Sequence, residues 1–218
     1  MSAALLFDLD GTLVDSDADH LAAFRQVFAP FGVSLTRQQY TQHIMGASNQ
    51  MIGERFLPHV PLAQRAEVMD AKEAAYREGL RDLTPTRGAS ELLDFADATG
   101  LACAVVTNAP RLNAERVLDA IGLRSRFSHV VIGSELARAK PDPLPYLTGL
   151  ALTGCRPEAS VAFEDSLSGV RAAVAAGVAT VGITTGLPAA RLVEAGALFG
   201  VADFADARVY ELIRARTG

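Results

Sequence analysis

The chain has 218 residues, 50% of them hydrophobic, and a formal net charge of −5. That length buries one sizeable core and at most a small second one, and the scattered charges form no basic cluster of the kind a nucleic-acid backbone requires. No apolar run approaches the roughly 20 residues that span a bilayer, and no basic segment leads into a signal-like apolar stretch, so neither nucleic acid nor membrane is an expected partner and the cytoplasm is the expected location. Cys103 and Cys155 are too few for a disulfide framework and lack metal-ligand spacing. Of the 20 basic residues only Lys72 and Lys140 are lysine, which singles out both positions, because the two cation types differ in shape and hydration.

The first element is the apolar run Ala4–Phe7, which leads into LLFDLDGTLVDS at residues 5–16. Two carboxylates, Asp8 and Asp10, follow it at once, then Gly11 and Thr12, and their mutual repulsion demands a compensating gain. From Val14 to Thr84 no strand pattern appears and helical periodicity prevails, as in Leu21, Phe24 and Phe28 at i, i+3 and i+7. Breaks at Pro30-Phe31-Gly32, at Pro58 to Pro61 and at Thr84-Pro85 divide this stretch into about four helices. Beyond residue 85, β-prone runs near 101–106, 129–132, 160–163 and 178–183 alternate with helix-length spacers. Strands apolar on both faces suit a parallel sheet covered by helices. The expected fold is therefore α/β: a Rossmann-like doubly wound parallel sheet from residues 1–14 and 85–218, with an all-helical domain inserted at 15–84.

Parallel α/β sheets bind ligands at the carboxyl ends of their strands. The first run ends in Asp8-Leu9-Asp10-Gly11-Thr12, the second in Thr107-Asn108, the segment after the third carries Lys140-Pro141, and the fourth ends in Glu164-Asp165-Ser166. If these strands are neighbours, carboxylates, a hydroxyl and a lone ammonium meet at one sheet edge.

DLDGT, VVTN, AKPDP and FEDS, in that order and with a helical insert after the first, resemble the haloacid dehalogenase superfamily in its helical-cap branch, which includes phosphoglycolate phosphatases and β-phosphoglucomutases. The resemblance covers essentially the whole chain. It implies Mg²⁺-dependent phosphoryl transfer through an aspartyl-phosphate, with residues 15–84 as a cap domain. Asp8 is then the nucleophile and a metal ligand together with Asp165, Asp10 lends its backbone carbonyl to the metal, and Glu164 holds a metal-bound water. The Asp10 side chain is the general acid and base. Thr107 and Lys140 complete the catalytic set, while Gly11, Thr12 and Asn108 meet the phosphoryl group. Ser166 and Gly169 form the turn into the helix that follows.

An acid two residues after the nucleophile points to phosphate esters, because dehalogenases and phosphonate-cleaving members have no alkoxide to protonate. Thr107-Asn108-Ala109 and Asn49, where β-phosphoglucomutases carry small residues with serine and a cap arginine, favour a phosphatase of small sugar, polyol or glycolate phosphates over a phosphomutase. A non-catalytic phosphate-binding regulator is the third alternative, although no key position is altered. In the insert, Gly46-Ala47-Ser48-Asn49 and Lys72 with Tyr76 are candidate substrate contacts, and His20 is a candidate link between cap and Asp10. The expected partner is a small phosphate ester, and the expected state is a monomer or weak homodimer.

Overall fold

A computed structural model describes residues 3–45 and 47–217. The chain divides into two compact units, Met1–Asp15 with Leu83–Gly218, and Ser16–Asp82.

The larger unit is a six-stranded parallel sheet. Its strands are β1 (Ala4–Phe7), β2 (Ala102–Thr107), β3 (His129–Ile132), β4 (Val161–Glu164), β5 (Ala179–Ile183) and β6 (Phe199–Val201), in the order β3-β2-β1-β4-β5-β6. The order reverses at β1, which has β2 on one side and β4 on the other. Such a reversal opens a crevice beyond the strand ends. Alternation decides which residue faces which layer. Leu6, Val106 and Ala162 pack with Tyr146 and Leu150 of the helix Leu144–Thr153 and with Ala172 and Ala173 of the helix Leu167–Ala175. On β1 and β4 the intervening residues Phe7 and Phe163 stack with centroids 5.0 Å apart, and Phe127 and Phe204 meet Phe7 edge-on. Burial on both faces is why these strands read as continuous apolar runs.

Two details differ from the sequence reading. β6 was not anticipated; it is only three residues long and is held by Leu198 and Thr184, whose N–H groups donate to Thr180 and Val201. Glu164 closes β4 rather than following it, which fixes its carboxylate as a strand side chain.

The smaller unit is built from α1 (Asp17–Phe28), α2 (Arg37–His43), α3 (Asn49–Phe56) and α4 (Leu62–Gly79). The stripe Leu21, Phe24 and Phe28 is buried and packs with Tyr40, Ile52 and Met69. A 3-10 turn at Ala29–Phe31 ends α1, stopped by Gly32 at φ 71°. Thr36 and Gln39 form a reciprocal capping box on α2, and the Ser48 hydroxyl accepts from Met51 N on α3. Each such cap contributes about 1 kcal/mol. Buried Asp17 accepts from the Tyr40 hydroxyl at 3.0 Å and from Arg37 at 3.3 Å, tying α2 to the start of α1. Among the described residues, no helix is long and apolar enough to cross a membrane.

Candidate active site

Register places the site. Phe7 pairs with Val105 on one side and Phe163 on the other, and Asp8 N donates to Phe163 O at 3.0 Å. Asp8 and Glu164, one residue beyond this pairing, and Asp165, two beyond it, therefore share one edge. Their carboxylates offer oxygens that all lie within 4.8 Å of one another, and all three residues are buried. Residues 8–14 form a tight turn in which Leu9 O accepts from Thr12, Leu13 and Val14, and Gly11 N donates to Val14 O at 2.7 Å. Gly11 sits at φ 81°, and a Cβ there would collide with the Asp165 carboxylate. Only glycine meets both conditions. Hydroxyls from distant segments hold this turn: Thr185 donates to Gly11 O at 2.6 Å and Thr86 to Thr12 O at 2.7 Å.

Lys140 is the cation of the cluster. Its Nζ donates to Asp8 Oδ1 at 2.7 Å, to Val106 O at 2.7 Å and to Glu164 Oε1 at 2.5 Å, so each of its three N–H groups has an acceptor. Burial works against its charge, but the Asp8 and Glu164 carboxylates outweigh burial and hold the ammonium above its ordinary pKa. Burial pushes the Asp8 carboxyl up to about 7; Lys140 pulls it down, and Glu164 and Asp10 add to the rise. Glu164 also accepts from the Tyr146 hydroxyl at 2.7 Å and, through Oε2, from Ser166 at 3.1 Å. Burial, then Glu164, raises Tyr146 well above the usual phenol value, so its hydroxyl remains a donor. The Lys140-Pro141 peptide is cis.

The remaining residues singled out in the sequence fall into three groups. Asp10 is half-buried in the turn beside Asp8. Thr107, Asn108 and Thr12 lie at the same edge but bond inward: Thr107 Oγ1 accepts from Ala109 N at 3.0 Å, fully buried Thr12 reaches Asp165 Oδ1 at 3.5 Å, and the Asn108 amide spans the Lys140 backbone, accepting from its N–H at 3.3 Å and donating to its carbonyl at 3.4 Å. Asn49 and Lys72 belong to the helical unit. There Lys72 is buried, meets His20 Nδ1 at 2.9 Å and both Glu73 oxygens at 3.2 Å, and lies 4.6 Å from the Phe24 ring centre, while Asn49 donates to Glu73 at 3.0 Å. His20 stacks on Tyr76 at 3.8 Å. Gly46 lies outside the described residues. Tyr146 is the site residue that sequence reasoning missed: a tyrosine in an apolar helix looks like packing, and only its buried hydroxyl marks it.

The donor set suits a hard divalent cation. Two of the three buried carboxylates, Asp8 and Glu164, share the Lys140 ammonium with Asp165 beside them, and the cluster offers oxygen, the ligand type Mg²⁺ prefers. The sequence pattern of the haloacid dehalogenase-like hydrolases matches residues 5–183. The chain is 31% identical to a validoxylamine A 7'-phosphate phosphatase from Streptomyces hygroscopicus subsp. limoneus, over 91% of this chain and 93% of that one. It is 30% identical to a phosphorylated carbohydrates phosphatase from Thermotoga maritima, over 89% and 92%. The crystal structure of CbbY from Rhodobacter sphaeroides in complex with phosphate superposes with a TM-score of 0.83 at 30% identity, covering 94% of this chain and 96% of that one. A parallel sheet whose order reverses at its first strand, with buried acids at the reversal, is a doubly wound α/β architecture with an acidic centre. The chain belongs to the haloacid dehalogenase-like hydrolase family.

Proposed function

We propose that the protein is a Mg²⁺-dependent phosphatase of small phosphate monoesters, with phosphorylated sugars or polyols as the preferred class. The observation that carries this reading is the buried Asp8–Lys140 pair at 2.7 Å with Asp165 and Glu164 beside it, at the point where strand order reverses. The names of the two phosphatase relatives support the substrate class.

Asp8 and Asp165, with the Asp10 carbonyl, would hold Mg²⁺, and Glu164 completes the acidic set. When bound, the ion offsets the charge of the carboxylates and of the phosphoryl oxygens. An Asp8 carboxylate oxygen forms a bond to phosphorus as the ester oxygen leaves with its bonding pair, and that oxygen takes its proton from the Asp10 carboxyl. In the second half, Asp10, now a carboxylate, accepts a proton from water as the water oxygen bonds to phosphorus. The bond between Asp8 and phosphorus breaks, the carboxylate is regenerated and inorganic phosphate departs. Lys140 keeps its ammonium against Asp8 throughout. Residues 15–84 act as the cap that selects the alcohol, and the cytoplasm is the proposed location.

The test is a panel of sugar, polyol, glycolate and nucleotide monophosphates assayed with Mg²⁺ and with chelator. Activity should vanish with chelator. Asp8→Asn, nearly isosteric, should lower turnover by at least about a thousandfold while the circular dichroism spectrum stays unchanged. Hydrolysis by Asp8→Asn at the parental rate would remove Asp8 as nucleophile.

A further inference from the structure

Behind the residues that face the reaction lies a fully buried tyrosine with a polar task. Tyr146 projects from the helix Leu144–Thr153, donates its hydroxyl to Glu164 Oε1 at 2.7 Å and places its ring centre 5.2 Å from Lys140 Nζ. The same Oε1 accepts from Lys140, while Oε2 accepts from Ser166. Glu164 lies against Gly169 so closely that a Cβ there would overlap its carboxylate. Glu164 and Asp8 therefore compete for one ammonium, and the outcome depends on how much negative charge each carboxylate presents. A second donor on Oε1 weakens the hold of Glu164 and leaves more of the ammonium to Asp8. Phenylalanine would fill the same apolar space, and burying a hydroxyl costs free energy unless it is bonded, so the hydroxyl needs a reason beyond packing.

We propose that Tyr146 is a positioning residue for phosphoryl transfer: by bonding Glu164 Oε1, its hydroxyl sets the Lys140 ammonium against Asp8. The role rests on the phosphatase reading above, but the placement of the ammonium can be tested apart from it. The chain has only two lysines, so protein carrying ¹⁵N-lysine presents two side-chain ammonium sites, and Lys72→Arg identifies which signal belongs to Lys140. Tyr146→Phe should shift the Lys140 signal and leave that of Lys72 in place. It should also lower kcat on p-nitrophenyl phosphate about tenfold with KM changed less than about twofold, the size expected for losing one hydrogen bond to a charged group. In a Glu164→Gln background the same substitution should change kcat by less than about twofold, because Tyr146 acts through Glu164. An unmoved Lys140 signal, or a loss that adds in full to that of Glu164→Gln, would overturn the proposal. Should Tyr146→Phe fail to fold, protein carrying 3-fluorotyrosine, whose more acidic hydroxyl is a stronger donor to Glu164 Oε1, must move the Lys140 signal, and an unmoved signal refutes the coupling. If the parent protein hydrolyses no monoester with Mg²⁺, the phosphatase reading fails, and the ammonium signal still decides the positioning.

Discussion

Each N–H of the Lys140 ammonium has a different acceptor: the Asp8 carboxylate just past the end of β1, the Glu164 carboxylate on β4 and the backbone carbonyl of Val106 on β2. A tetrahedral head suits three acceptors that converge from three strands, whereas the planar fork of arginine directs its donors into one plane and needs more room. Lys140→Arg therefore keeps the charge and loses the geometry. Its kcat should fall at least about a hundredfold, close to that of Lys140→Ala, and near-parental turnover would show that only charge matters there. Asp10, proposed to act on the leaving group, makes a different prediction. Asp10→Asn should slow alkyl phosphates far more than p-nitrophenyl phosphate, whose leaving oxygen departs without a proton. Equal losses on both substrates would remove Asp10 from that role. Asp8 and Asp165 stand out in the sequence because acids follow apolar strand runs, and Lys140 because it is one of only two lysines in an arginine-rich chain. Tyr146 was not, because its neighbours Pro145 and Leu147 give no cue and its partner Glu164 lies 18 residues away.

At the scale of the element, the junction of β4 with the helix Leu167–Ala175 shows how local preference yields to the site. Ser166 caps the helix by accepting from Gly169 N at 3.1 Å, and Gly169 leaves space for the Glu164 carboxylate. By helix propensity alone, Gly169→Ala should stabilise by about 1 kcal/mol. Its Cβ, however, would push Glu164 off Lys140, Tyr146 and Ser166, and an unsatisfied buried polar group costs about 1–3 kcal/mol. The expected result is a lower urea midpoint together with reduced kcat; a raised midpoint would mean that Glu164 finds another position at no cost. Other elements were legible for the opposite reason, since local pattern and tertiary environment agree in them. β1, β4 and β5 are buried throughout and read as apolar runs. β6 was hidden by its length and by Gly200 at its centre. In α4 the breaks on either side mark the helix, while its buried face includes Lys72 and Glu73 as well as Val68, Met69 and Tyr76, which blurs the apolar stripe.

For the whole molecule, the question is how a site that recognises a phosphoryl group tells one alcohol from another. The groups gathered at the strand ends are carboxylates and an ammonium, which in the proposed reaction address phosphorus, its oxygens or a cation and not a carbon skeleton. On the proposed reading, discrimination would come from residues 15–84, the other unit of suitable size. That unit holds a buried polar network, Lys72 with Glu73 and His20 and Asn49 on Glu73, inside an otherwise apolar helical core. Such networks are costly when partly satisfied. Asn49→Ala and Lys72→Gln should therefore change kcat/KM unevenly across sugar, polyol and glycolate phosphates, by about tenfold for some and less than twofold for others. Hydrolysis of acetyl phosphate, which offers almost no skeleton to select, should stay within about twofold of the parent. Melting curves separate this outcome from simple destabilisation, which would lower activity on every substrate in proportion to the unfolded fraction. A uniform loss in a folded variant, or no change on any substrate, would leave these residues without a selective role and return the question of specificity to the sheet unit.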